Sequence, residues 1–180
     1  MVHRRFGILA VCTANICRSP MIEILLRDGL DPARFEVASA GVRGWDRQPM
    51  DATAAQELAR LGHSADDFRS HPIEPYLVES ADLILTATRE HRSDVLALNP
   101  QALRRSFTLV EFASLTSLVD GDGPAELVRQ AALRRSLAPA QVDIRDPYRR
   151  GSDVHRQTAD QIAGAVATIT ERLNALVPTA

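Results

Sequence analysis

A chain of 180 residues with 45% apolar and 24% charged residues can bury one sizeable core, which excludes a mainly disordered polypeptide. A formal charge of −2 provides no electrostatic footprint for nucleic acid or an anionic membrane surface, so neither is expected as a partner. All 21 basic residues are arginine, which removes both a Schiff-base lysine and the lysine of a Walker-type nucleotide loop.

The apolar run from Phe6 to Val11, preceded by Arg4 and Arg5, predicts a buried strand that ends in a loop. Leu9-Ala10-Val11-Cys12 superficially resembles a lipid-attachment box. The run is shorter than the roughly 7–15 residues of an export signal, however, and a polar loop follows it at once. No stretch approaches the ~20 apolar residues of a membrane span, so a soluble, cytoplasmic protein is expected. Ser19-Pro20 predicts a helix start, with Ser19 as N-cap and Pro20 at the first helical position. Ile22, Leu25, Leu26 and Leu30 continue its apolar face as far as Asp31-Pro32.

Phe35 to Ala40 predicts a second strand, followed by Gly41 and a loop with Gly44, Trp45 and Pro49. Asp51 is placed to cap a helix running through Leu58 to Gly62. Ala81 to Thr86 predicts the third strand, and Thr88 caps a helix that stops at Asn99-Pro100. A short fourth strand is expected over Phe107 to Val110. Residues 119–125 read as a loop leading into a helix from Glu126 to Leu137, and Asp143 to Tyr148 as a further loop. Ile162, Val166, Ile169, Leu173 and Leu176 recur at helical spacing in a final amphipathic helix.

Strands alternating with helices imply an α/β fold: a single-domain three-layer sandwich over residues 1–180, with a four-stranded parallel sheet covered by helices on both faces. Ligands in such sheets sit beyond the carboxyl ends of the strands, which directs attention to the segment after the first strand. The only cysteines, Cys12 and Cys17, both lie there, as in a reducing compartment rather than a disulfide framework. His3, His63, His71, His91 and His155 are scattered, so no metal site and no cofactor is expected.

Cys12-Thr13-Ala14-Asn15-Ile16-Cys17-Arg18-Ser19-Pro20 is a cysteine, five residues and an arginine between a strand and a helix start. Successive N–H groups of a tight loop can converge on one anion, and the following helix adds its unpaired donors and dipole. Arg18 offers a planar fork suited to two phosphate oxygens. The same field favours a thiolate at Cys12, to which Ser19 can donate. Asn15 tolerates a left-handed backbone better than most residues. These features point to phosphate chemistry at a nucleophilic sulfur.

The segment resembles the signature of the low-molecular-weight protein tyrosine phosphatase family. Ser39-Ala40-Gly41 with Trp45, Pro49 and Asp51, Ala81 to Leu85, and Asp146-Pro147-Tyr148 are similar to further family segments in the expected order. The resemblance implies that Cys12 attacks phosphorus to form a phosphocysteine. It implies that Arg18 and the amides from Thr13 to Arg18, through Ala14, Asn15, Ile16 and Cys17, hold the oxygens. Asp146 is then the general acid, Asn15 and Ser19 support the loop, and Trp45 and Tyr148 wall the crevice. Isoleucine at position 16 accompanies phosphotyrosine activity in the family, and threonine accompanies phosphoarginine activity. The implied partner is a tyrosine-phosphorylated protein, with a bacterial tyrosine kinase as its counterpart, and the chain is expected to be a monomer. Cys17 either bonds to Cys12 under oxidation, as the resemblance suggests, or fills the core.

Four alternatives stay open: a phosphatase of small metabolites, a phosphoarginine phosphatase, an arsenate reductase-like enzyme, and a phosphotyrosine-binding pseudophosphatase. The sequence also departs from the family pattern. Ala14 stands where glycine is usual and is strained if that position needs a positive φ. Arg69 to Pro72 and residues 119–137 receive no role, and Arg149-Arg150 reads as a solvated pair.

Overall fold

The computed structural model describes residues 4–176, so His3 lies outside the described residues. Four parallel strands, β1 (Phe6–Cys12), β2 (Phe35–Gly41), β3 (Leu83–Thr86) and β4 (Ser106–Thr108), form one sheet in the order β2-β1-β3-β4. Side chains alternate across it as strand geometry requires. Ile8, Ala10, Leu83 and Leu85 face one apolar cluster, and Leu9, Val11 and Ile84 face the other.

The larger cluster is covered by α1 (Arg18–Gly29), α2 (Ala52–Arg60), α5 (Leu109–Thr116), α6 (Pro124–Leu133) and α7 (Ser152–Ala175). The smaller is covered by α3 (Pro75–Ser80) and α4 (Arg89–Leu98). Helices on both faces make the expected three-layer sandwich. Asp51 caps α2 by accepting from the amides of Thr53 and Ala54, and Thr88 caps α4 through the amide of His91. A 3₁₀ turn from Pro100 follows α4, consistent with the stop at Asn99-Pro100.

Four elements differ from expectation at their boundaries. The third strand begins at Leu83 rather than Ala81. The fourth strand ends at Thr108, because Thr108 and Glu111 form a reciprocal capping box that starts α5 at Leu109. The helix expected over Glu126 to Leu137 runs from Pro124 to Leu133 and gives way to a short 3₁₀ turn. Helix α1 begins at Arg18 with Cys17 at the N-cap, so Ser19 is not the cap and Pro20 stands third in the helix. Pro20 is tolerated there because the first four N–H groups of a helix have no intrahelical partner anyway. Ser19 fails as a cap because its hydroxyl is engaged elsewhere.

The strand order reverses direction at β1. The chain leaves β1 for β2 on one side and later returns to β3 on the other. Val11 and Thr86 are paired in register, so the loops following β1 and β3 emerge side by side at this switch point.

Candidate active site

Five residues join Cys12, the last of β1, to Arg18, the first of α1. The turn is made at Asn15, whose φ of 57° lies in the left-handed region. Among the described residues, Ala14 is not one of the positive-φ positions, so the condition for strain at Ala14 is not met. The left-handed demand falls one residue later, on a residue type that meets it more readily.

Asn15 is buried and its side-chain amide is fully employed. Nδ2 donates to Ser19 Oγ at 2.8 Å and to Ser39 Oγ at 2.7 Å, and Oδ1 accepts from the amide of His71 at 2.8 Å. Because Ser19 Oγ accepts from Asn15, its own hydrogen is free, and Cys12 Sγ lies 2.9 Å away. The loop thereby presents a hydroxyl donor to the sulfur. Gly41 permits this packing. A Cβ there would lie 2.7 Å from the carbonyl oxygen of Thr13 and 2.9 Å from the carbonyl carbon of Ala14.

Arg18 is buried, and Nη1 donates to the carbonyl of Ile144 at 3.0 Å. Nη2 pairs with Asp146 Oδ2 at 3.1 Å and donates to Thr13 Oγ1 at 3.5 Å. Its buried Nε has no partner among the described residues. The Asp146 segment is anchored near the N-terminus of α4. Ile144 N donates to the carbonyl of Ala87 at 2.9 Å, and the Asp143 carboxylate accepts from Arg89 N at 2.7 Å and Arg89 Nη2 at 3.0 Å. Arg18, Asp146 and Cys12 are thus collected from two distant parts of the chain.

A crevice of about 290 Å³ opens over the loop. Cys12, Thr13, Ala14, Ile16, Cys17 and Arg18 form its base. Trp45, Asp146 and Tyr148 also line it, and Asn15 and Ser19 sit beneath. Trp45 is 58% exposed and Tyr148 36%, so both rings are available to an incoming planar group. Arg149, left-handed at φ 56°, holds its guanidinium 5.2 Å from the Tyr148 ring centroid.

Five contributors were not read from the sequence. Arg43 lines the crevice beside the aromatic pair. Ser39 passes the Asn15 contact on to Glu23, where burial is the main effect raising the carboxyl's pKa against the Ser39 hydrogen bond. Ser70 and His71, in the segment assigned no role, tie the Trp45 loop to the sulfur loop. The Ser70 hydroxyl donates to the Trp45 carbonyl, the Gln48 amide donates back to it, and the His71 amide reaches Asn15. His91 Nε2 lies 2.8 Å from Thr13 Oγ1. Burial first, then the Arg18 guanidinium, lower the His91 pKa to about 4. Of these five, only His91 had a local signal, its place three residues after the Thr88 cap.

Cys12 and Cys17 are both free thiols. Burial, then the charge of Asp51, push the Cys17 thiol well above its ordinary range. Among the described residues no three His, Cys, Asp or Glu side chains cluster as a metal site, and no helix is long and apolar enough to cross a membrane.

Residues 7–131 match the family described as low molecular weight phosphotyrosine protein phosphatase. The low molecular weight protein-tyrosine-phosphatase Etp of Escherichia coli K12 is 30% identical over 175 residues, covering 97% of this chain and 99% of Etp. The structure also resembles the YwlE arginine phosphatase of Geobacillus stearothermophilus, with a TM-score of 0.74, 28% identity and 94% of each chain covered. The tyrosine phosphatase AmsI of Erwinia amylovora superposes with the same TM-score at 25% identity, again over 94% of each chain. On this evidence the chain belongs to the low molecular weight phosphotyrosine protein phosphatase family.

Proposed function

We propose that the protein hydrolyses phosphotyrosine in proteins through a phosphocysteine on Cys12. The observation that carries this reading is a sulfur 2.9 Å from a hydroxyl whose hydrogen is free to point at it, in a crevice that also holds Arg18, Asp146 and two exposed aromatic rings. The phosphate dianion is held by the loop amides and the Arg18 guanidinium, whose Nη2 gives up Asp146 for the anion and whose buried Nε has no partner among the described residues. Cys12 sulfur attacks phosphorus as the bond to the tyrosyl oxygen breaks. The departing electron pair stays on that oxygen, which takes a proton from Asp146. Water then attacks phosphorus and gives a proton to the Asp146 carboxylate. The sulfur–phosphorus bond breaks, the thiolate returns under the Ser19 hydroxyl, and inorganic phosphate leaves.

Asn15 holds Ser19 in place, and Trp45 with Tyr148 sandwich the substrate ring. The depth and apolar walls suit a ring-borne phosphate better than a small polar metabolite. The reading further takes residues 1–180 as one monomeric domain acting in the cytoplasm on a tyrosine-phosphorylated protein, opposite a tyrosine kinase.

A phosphoarginine substrate is the second reading, because solved relatives include arginine phosphatases. Two residues favour tyrosine. Ile16 presents an apolar side chain to the crevice, and Arg43 adds a cation to the crevice that a substrate guanidinium would also enter. Like charges there cost binding energy that a phenyl ring does not lose. The test is a kinetic comparison of phosphotyrosine, phosphoserine and phosphoarginine peptides, with acid-quench trapping of the phosphorylated enzyme. Turnover of phosphotyrosine that persists in Cys12→Ser would remove the mechanism, and preference for phosphoarginine would replace the substrate.

A further inference from the structure

His91 stands in the first turn of α4, far from the sulfur loop in sequence and beside it in space. Parallel pairing of Val11 with Thr86 sets the two loops side by side, and the Thr88 cap turns His91 back toward Thr13. We propose that His91 is a positioning residue of the phosphate site, donating from Nε2 to Thr13 Oγ1 and thereby turning the Thr13 hydroxyl into an additional donor to the bound anion. The inference rests on the reading of the Cys12 loop as a phosphate-monoester site and adds a side-chain contact to it.

Counting hydrogens carries the argument. The imidazole is buried and neutral near pH 7, so it has one N–H and one lone pair. Nδ1 lies 2.9 Å from Thr88 Oγ1, which already accepts the His91 backbone N–H at 3.3 Å. Thr13 Oγ1 also accepts a hydrogen bond from Arg18 Nη2, which can only donate. With the proton on Nδ1, the Thr13 hydrogen is spent on Nε2 and the Thr88 hydrogen has no acceptor among the described residues. With the proton on Nε2, Thr88 donates to Nδ1, and Thr13 accepts from both His91 and Arg18. The hydrogen left over then belongs to Thr13, at the base of the crevice. An anion in the crevice uses that hydrogen and selects the second arrangement, because charge-assisted donors are the stronger ones.

The experiment measures inhibition constants for orthovanadate and inorganic phosphate, together with kcat and KM on p-nitrophenyl phosphate. The enzymes compared are the wild type, T13V, H91L, H91Q and the T13V/H91L double variant. T13V should weaken vanadate inhibition about tenfold, as loss of one hydrogen bond to a charged group predicts, and H91L, which keeps the Thr13 hydroxyl but removes the donor that turns it, should weaken it severalfold. The double variant should be no weaker than T13V alone. H91Q, whose amide keeps a donor on the side chain, should recover most of the H91L loss. KM should rise more than kcat falls, which a general loosening of the fold would not produce. If H91L does not fold, T13V against the wild type and H91Q still decides. Unchanged vanadate affinity in T13V overturns the inference, and so do losses that add in the double variant. Failure of the wild type itself to bind vanadate would instead overturn the phosphate-site reading.

Discussion

Replacing Ser19 with alanine isolates the proposed second half-reaction. Asn15 Nδ2 donates a hydrogen bond to Ser19 Oγ at 2.8 Å, so the serine's own hydrogen is left for Cys12 Sγ at 2.9 Å. A hydrogen bond to a charged group contributes about 1.5–3 kcal/mol, and this one is made most fully when sulfur leaves phosphorus carrying its negative charge. Loss of that contribution corresponds to a slowing of roughly 10- to 150-fold in phosphocysteine hydrolysis. The first step should slow less, since the attacking sulfur is then losing charge rather than gaining it. Asn15 keeps its bond to Ser39, so the loop should stay folded with a stability loss of about 1 kcal/mol. Stopped-flow measurement with p-nitrophenyl phosphate should show a burst approaching one equivalent of nitrophenolate, followed by slow turnover. Acid quench should recover phosphorylated enzyme. A single-phase time course with no accumulated intermediate, or a kcat within threefold of wild type, would refute the assignment of that hydrogen to sulfur.

Three further outcomes are expected. Asp146→Ala should lower the rate by roughly 10²- to 10⁴-fold on phenyl phosphate and distinctly less on p-nitrophenyl phosphate, whose leaving group needs less help from an acid. Equal losses on the two would exclude proton donation. Gly41→Ala should cost about 1–3 kcal/mol in thermal or denaturant unfolding and lower kcat/KM as well, because its Cβ would meet two backbone atoms of the sulfur loop under 3 Å away. Wild-type stability would show that the loop is not packed so closely. Stability should fall between pH 6.5 and about 4, since His91 is held neutral in the fold and takes up a proton when unfolded. The unfolded chain binds more protons in that window, so the His91 contribution is complete above pH 6.5 and is lost on acidification, by up to about 1.4 kcal/mol per pH unit. Guanidinium titrations in which H91Q leaves this slope unchanged would contradict the assignment.

The division between local and long-range information can be followed residue by residue. Asp51 and Thr88 were readable as caps because a cap is a contact between residues two or three apart. Ser19 was read as a cap on the same logic and is not one, since Cys12 and Asn15 compete for its hydroxyl. Ala14, which stands where glycine is usual, would bear strain only if its position needed a positive φ, and the positive φ belongs to Asn15. Ser70 and His71 carried no pattern at all, because Ser70 acts on Trp45 from 25 positions away and His71 on Asn15 from 56, through main-chain and hydroxyl groups that any sequence offers.

By itself the sequence determined the alternation of strands and helices, the parallel sheet that follows from it, and a cysteine and an arginine on either side of a turn at a helix start. Those depend on hydrophobic period, capping chemistry and chain direction, all of which operate over a few residues. Only the tertiary structure decided that Asp146 pairs with Arg18, that Ser39 and His71 lock Asn15, that Arg43 enters the crevice, and that His91 reaches Thr13. Each of those contacts depends on the register of β1 against its neighbours and on how the later loops dock over the strand ends. That is a property of the packed sheet, with no short-range trace in the order of residues.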